Sequence, residues 1–95
     1  MIYIRSADEI SKFSKACQIV KETLIAVEEM IQPGVSTMEL DKLAESFICS
    51  KGAVPGFKGL YGYPATICVS IDDEVVHGLP SNRKLKEGEL ISVDV

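Results

Sequence analysis

Two residues of this 95-residue chain stand in surroundings that aim them at chemistry: its single histidine, His77, and an acid set among valines, Asp94. His77 follows Val75-Val76 and leads directly into Gly78-Leu79-Pro80. A β-branched pair on one side and a Gly-Pro turn on the other restrict the backbone, so the imidazole is held rather than free. A neutral imidazole donates or accepts a hydrogen bond near physiological pH, so His77 could ligate a metal, move a proton or orient a peptide group. Asp94 lies between Val93 and Val95 in the segment ELISVDV, read here as facing inward. An inward carboxylate is too costly to leave unpaired and must meet a cation, a set of donors or a metal ion. One imidazole and one such carboxylate are half of a metal site.

Other chemistries find less support. The serines lack a GxSxG frame, no glycine-rich phosphate loop is present, and Cys17, Cys49 and Cys68 form no CxxC pair. Cys17 and Cys49 read as small buried hydrophobes of a reducing compartment. Asp72-Asp73-Glu74 reads as a turn whose acids diverge into solvent rather than as a metal cluster. The segment from Ala53 to Pro64 interleaves Phe57, Tyr61 and Tyr63 with glycines and prolines. Aromatic rings on such a loop either tuck onto the core or form a pocket wall for an apolar side chain.

The elements that position these groups follow from periodicity and capping. Ser6-Ala7-Asp8-Glu9 is a capping box, and Ile10, Phe13, Cys17, Val20, Leu24, Val27 and Ile31 then line one face of a helix about two dozen residues long. Pro33-Gly34 stops it. Ser36-Thr37-Met38-Glu39 repeats the box and opens a shorter helix with Leu40, Leu43, Ala44, Phe47 and Ile48 on its apolar face and Gly52 as C-cap. Thr66 to Ile71 alternates as a strand, Val75-Val76-His77 reads as the returning strand of a hairpin, and Leu90 to Val95 is the last strand. In that last strand Ile91, Val93 and Val95 share one face and Leu90, Ser92 and Asp94 the other.

The length holds a single domain over residues 1–95 with one modest core. A net charge of −4 argues against nucleic acid or an anionic membrane as the main partner. No signal-peptide pattern and no apolar run near the ~20 residues of a membrane span is present, so a cytoplasmic location is expected.

The segments PGVSTMELD, GFKGLYGYPATICVSIDDEVVHGLP and LKEGELISVDV, in that order and spacing, resemble the N-terminal part of a type I bacterial methionine aminopeptidase. The resemblance covers nearly the whole chain. It implies an α+β fold, the N-terminal half of a pita-bread metallopeptidase, with two helices packed on a small, mostly antiparallel sheet. It implies removal of N-terminal methionine from nascent proteins with two divalent ions, without distinguishing Co, Mn, Fe or Zn. By position, Asp94 matches the first metal-ligating aspartate and His77 the histidine that contacts the scissile amide. Tyr63 and Cys68 match the methionine pocket, with Phe57, Leu60 and Tyr61 along the same wall. N-terminal peptides of nascent proteins, with the ribosome that bears them, are the implied partners.

The resemblance also implies a second aspartate, a metal-ligating histidine and two glutamates beyond the position of Val95. With Asp94 as its one matched ligand, the chain is expected to hold at most one weakly bound ion and to be inactive by itself. The alternative is a non-catalytic module derived from a pita-bread half that binds peptides or another protein. Self-association through the C-terminal strand is expected if that strand leaves an open edge.

Overall fold

A computed structural model describes residues 2–95. Helix α1 spans Ala7–Met30 and helix α2 Thr37–Ser50. A short 3-10 turn over Leu60–Gly62 precedes strand β1, Cys68–Ile71, and strand β2, Ile91–Asp94.

Both helices begin where the sequence placed their caps. Ser6 Oγ accepts from the Glu9 N–H at 3.1 Å while a Glu9 carboxylate oxygen accepts from the Ser6 N–H at 2.9 Å. Ser36 and Glu39 repeat the exchange at 3.1 and 3.0 Å. Each exchange satisfies donors that a helix start otherwise leaves unpaired. Beyond α2, Gly52 takes φ +76°, the left-handed conformation that glycine enters without a Cβ penalty.

The core joins Val27 of α1 and Leu40 and Ala44 of α2 to Ile67, Val69 and Ile71 around β1, with Val35 and Leu85 closing one end. Leu85 is fixed there because its carbonyl accepts from Gly34 N–H and its own N–H donates to Val35, both at 2.8 Å. β1 and β2 pair antiparallel in the register Cys68↔Asp94, Val69↔Val93, Ser70↔Ser92, Ile71↔Ile91. Side chains directly opposite in such a ladder share a face. Ile91, Val93 and Val95 therefore pack on the core with Val69 and Ile71, while Ser92 and Asp94 share the other face with Ser70 and Cys68.

Four expectations need correction. The apolar stripe of α1 is largely uncovered: Ile10 and Phe13 are more than half exposed, Leu24 and Ile25 are exposed, and only Thr23 and Val27 are buried. Periodicity set the face, but only the C-terminal half of α1 meets the sheet. Cys17 and Cys49 are exposed for the same reason, since the faces that carry them have nothing packed on them; Cys68 alone is buried. Val75-Val76-His77 is not a strand, and Val75 and Val76 are exposed. β1 pairs with β2 instead, and the returning chain touches β1 through a single backbone bond, from Val69 N–H to Gly78 carbonyl at 2.9 Å. Asp94 does not face inward; it is exposed, because the core lies on the valine face of β2.

Candidate functional site

The loop between α2 and β1 folds into one wall of a cleft of about 530 Å³ lined by Phe57, Leu60, Tyr61, Tyr63, Cys68 and His77, with Gly62 and Pro64. Phe57 and Tyr63 meet edge to face with ring centroids 6.5 Å apart, a favoured aromatic geometry. Tyr61 takes φ +49° and is fully exposed at the rim. Tyr63 is half-buried, and its hydroxyl donates to the Ile67 carbonyl at 2.8 Å. Burial, and then the neighbouring Cys68 thiol, push the Tyr63 phenol well above its ordinary pKa of 10.0. The ring therefore stays neutral, and its hydroxyl remains a donor.

His77 reaches the cleft by a specific local device. Its backbone is left-handed, φ +60°, an unusual state for a residue with a Cβ. The next residue holds it there. Gly78 N–H donates to Ser70 Oγ at 3.0 Å and its carbonyl accepts from Val69 N–H. A Cβ at Gly78 would come within 2.7 Å of the Val69 carbonyl carbon and 2.9 Å of Ser70 Cα, so only glycine permits this approach. The imidazole is exposed on its cleft-facing turn.

Asp94 is outside the cleft wall itself, yet it is the direct ladder partner of Cys68, which lines the wall. Its exposed carboxylate therefore stands on the cleft's side of the ribbon. The structure thus gathers His77, Tyr63, Cys68, Phe57, Leu60 and Tyr61 around one space and puts Asp94 on the adjoining rung.

The acids of the Asp72-Asp73-Glu74 turn are exposed, but two of them have work in the backbone. Asp72 accepts from Leu90 N–H at 2.9 Å, tying the turn to the start of β2, and Glu74 accepts from Ile71 N–H at 3.0 Å. The acid that is buried is Asp41, on α2, whose Oδ1 accepts from Thr66 and Ile67 N–H at 2.8 and 2.9 Å. Neither Asp41 nor Ser70 stood out as a site residue in the sequence. One signal pointed to Asp41: with Thr37, Leu40, Ala44 and Ile48 it falls on the helical stripe that becomes the buried face of α2.

A model of metallopeptidase family M24 matches residues 11–95 of this chain. The methionine aminopeptidase of Clostridium acetobutylicum is 52% identical over 95 residues, and that of Clostridium perfringens 46% identical over 94. In both cases the match takes in 99% of this chain, which spans 38% of the length of the relative. The crystal structure of methionine aminopeptidase from Rickettsia prowazekii superposes with a TM-score of 0.95 at 35% identity, over 100% of this chain and 38% of that one. The enzyme structure from Thermotoga maritima gives 0.94 at 39% identity, over 98% and 38%. Two helices on an antiparallel ribbon are thus part of the pita-bread fold of these neighbours.

A metallopeptidase family implies a divalent metal cofactor. The donor set here does not make a site for one: among the described residues no three His, Cys, Asp or Glu side chains gather where they could hold an ion. Among the same residues no helix is long and apolar enough to cross a membrane. With the family model matching all but the first ten residues, and with the cleft, ribbon and helices superposing on solved relatives, the chain belongs to metallopeptidase family M24.

Proposed function

We propose that this chain carries the peptide-gripping part of an aminopeptidase that removes N-terminal methionine from nascent proteins, and that by itself it does not hydrolyse peptides. The observation that carries the reading is the Cys68–Asp94 rung, which sets a carboxylate beside a cleft walled by Phe57 and Tyr63 and reached by His77. The relatives named methionine aminopeptidase, 46% and 52% identical, support the substrate class.

An unbranched thioether side chain suits flat aromatic walls, where sulfur–ring contacts add to apolar burial. Tyr63, Cys68, Phe57, Leu60 and Tyr61 would form that wall, and the His77 imidazole would donate to the first peptide group and orient it. Divalent ions act in the intact family member, and this chain would offer them Asp94 alone. Such ions take four or more ligands, so the chain is expected to hold at most one ion, weakly.

Two measurements test this. The purified chain is incubated with Met-Ala-Ser and Mn²⁺ or Co²⁺, and no free methionine is expected. Titration with L-methioninamide is followed by NMR, and the Tyr63 and His77 ring signals are expected to shift. Methionine release that disappears in Asp94→Asn would show the chain to be active. An unmoved Tyr63 and His77 would remove the peptide-gripping reading.

A second reading, a non-catalytic module that docks on another chain, is favoured by one observation: Ile10, Phe13, Leu24 and Ile25 are exposed along α1, and among the described residues β2 pairs on one side only. Its test is the oligomeric state taken up below.

A further inference from the structure

We propose that Asp41 is a positioning residue for the cleft: its buried carboxylate grips the backbone at the entry of β1 and so sets where Tyr63 and Cys68 stand. In calling that cleft a methionine pocket the inference rests on the function proposed above; in its geometry it does not.

Asp41 is 5% exposed on the inner face of α2. Its Oδ1 takes two N–H donors at once, from Thr66 at 2.8 Å and Ile67 at 2.9 Å. Ile67 is fully buried and is held from its other end as well, because its carbonyl accepts the Tyr63 hydroxyl at 2.8 Å. One residue therefore joins the carboxylate on α2 to the ring in the cleft. The next residue is Cys68, the first of β1, which lines the cleft and pairs with Asp94. The polar chain Asp41, Ile67, Tyr63 thus runs from the interior to the wall, and the backbone it fixes continues straight into the rung that carries the acid.

The carboxylate has no other task in sight. The apolar face of α2 would pack as well or better with an aliphatic residue there, and a buried charge is retained only where its acceptors are used. Two adjacent N–H groups converging on a single oxygen are what it supplies. The segment before it, with two prolines and three glycines between Ala53 and Pro64, closes on itself through bonds such as Gly59 N–H to the Tyr63 carbonyl at 2.8 Å, and the Asp41 contacts are what tie the end of the loop to α2.

The test uses the full 95-residue chain carrying Cys17→Ser and Cys49→Ser, both exposed positions, so that Cys68 is the sole thiol. The rate of Cys68 modification by a disulfide reagent is measured under native conditions. Added to that background are Asp41→Ala, which removes the acceptor, Asp41→Asn, which keeps an amide oxygen able to accept, and Val27→Ala, a change in the same core that leaves the Asp41 acceptor and its two N–H donors in place. Asp41→Ala is expected to raise the rate at least tenfold and to shift the Tyr63 ring signals, with Asp41→Asn recovering most of the parent behaviour. Val27→Ala, compared at matched global stability, is expected to leave both readouts near the parent.

An unchanged rate and unmoved ring signals in Asp41→Ala would overturn the proposal. So would an equal acceleration in Val27→Ala, which would make Asp41 one core residue among others. If Asp41→Ala does not fold, Asp41→Asn decides: parent-like Cys68 and Tyr63 support the latch, and a freed thiol in a folded Asp41→Asn protein overturns it. Failure of L-methioninamide to bind the parent would strike the proposed function while leaving these outcomes as they stand.

Discussion

Asp94 faces Cys68 directly across the antiparallel ladder, so an exposed carboxylate and a buried thiol occupy the same side of one rung. Cys68 lines the cleft with Phe57 and Tyr63, whereas Asp94 is not among the residues that line it. The rung therefore marks the edge of the cleft, apolar within and acidic at the margin.

That arrangement predicts a separation of roles for Asp94. Asp94→Asn removes an exposed charge outside the core and is expected to change stability by no more than about 0.5 kcal/mol, the range of surface substitutions without a structural partner. The same change is expected to abolish whatever weak broadening Mn²⁺ causes at Cys68 and Asp94 in NMR spectra. Broadening that persists undiminished in Asp94→Asn would place the ion elsewhere.

Gly78 and Ser70 together hold His77, and each can be removed singly. Gly78→Ala drives a methyl group into the Val69 backbone, an overpacking expected to cost about 1–3 kcal/mol. Ser70→Ala leaves the buried Gly78 N–H without its acceptor, at about 1–3 kcal/mol. Both variants are expected to move the His77 ring signals while α1 and α2 keep their helical circular dichroism. A Gly78→Ala protein with parent stability and an unmoved His77 would show that the close approach is not required.

How much of this was legible in the sequence depends on how far each signal travels along the chain. The capping boxes at Ser6 and Ser36 are local, involve residues three apart, and both formed. The cleft loop was readable from composition, since rings interleaved with glycine and proline seldom pack as regular structure. The partner of β1 was not, because Val75-Val76-His77 and the final strand have equally good β propensity and the choice between them lies in tertiary contacts. The left-handed His77 and the Ser70–Gly78 bond exclude the nearer segment from the ladder, and neither shows in a hydropathy pattern. The same limit misplaced the acid: alternation put Asp94 opposite Val93 correctly but could not tell which face of the ribbon the helices would cover.

The uncovered stripe of α1 carries its own expectation. Ile10, Phe13, Leu24 and Ile25 are exposed, and β2 has β1 on one side only among the described residues. Exposed apolar patches and open strand edges both recruit other chains. Sedimentation velocity is expected to show concentration-dependent association, reduced in Phe13→Glu and Leu24→Lys variants, which place charge on the stripe without touching the core. A monomer at all concentrations, with β2 amides protected from exchange, would rule out self-association and count against the docking-module reading.

The raised Tyr63 pKa gives a pH dependence whose sign can be worked out. Burial comes first among its causes, so the protonated phenol is favoured in the folded chain relative to the unfolded one, where the ordinary value is 10.0. Above pH 10 the unfolded chain has released this proton while the folded chain still binds it, so unfolding stability falls as pH rises. Below pH 10 both states hold the proton and the contribution is fully present. Denaturant titrations between pH 9 and about 11 should therefore show the parent losing stability with rising pH. In Tyr63→Phe the loss should be smaller, since the ionisable group is gone, although the variant begins lower for want of the bond to the Ile67 carbonyl, about 0.5–1.5 kcal/mol. Parallel curves for the two proteins would mean that the phenol ionises as freely in the cleft as in water, and that Ile67 does not hold it.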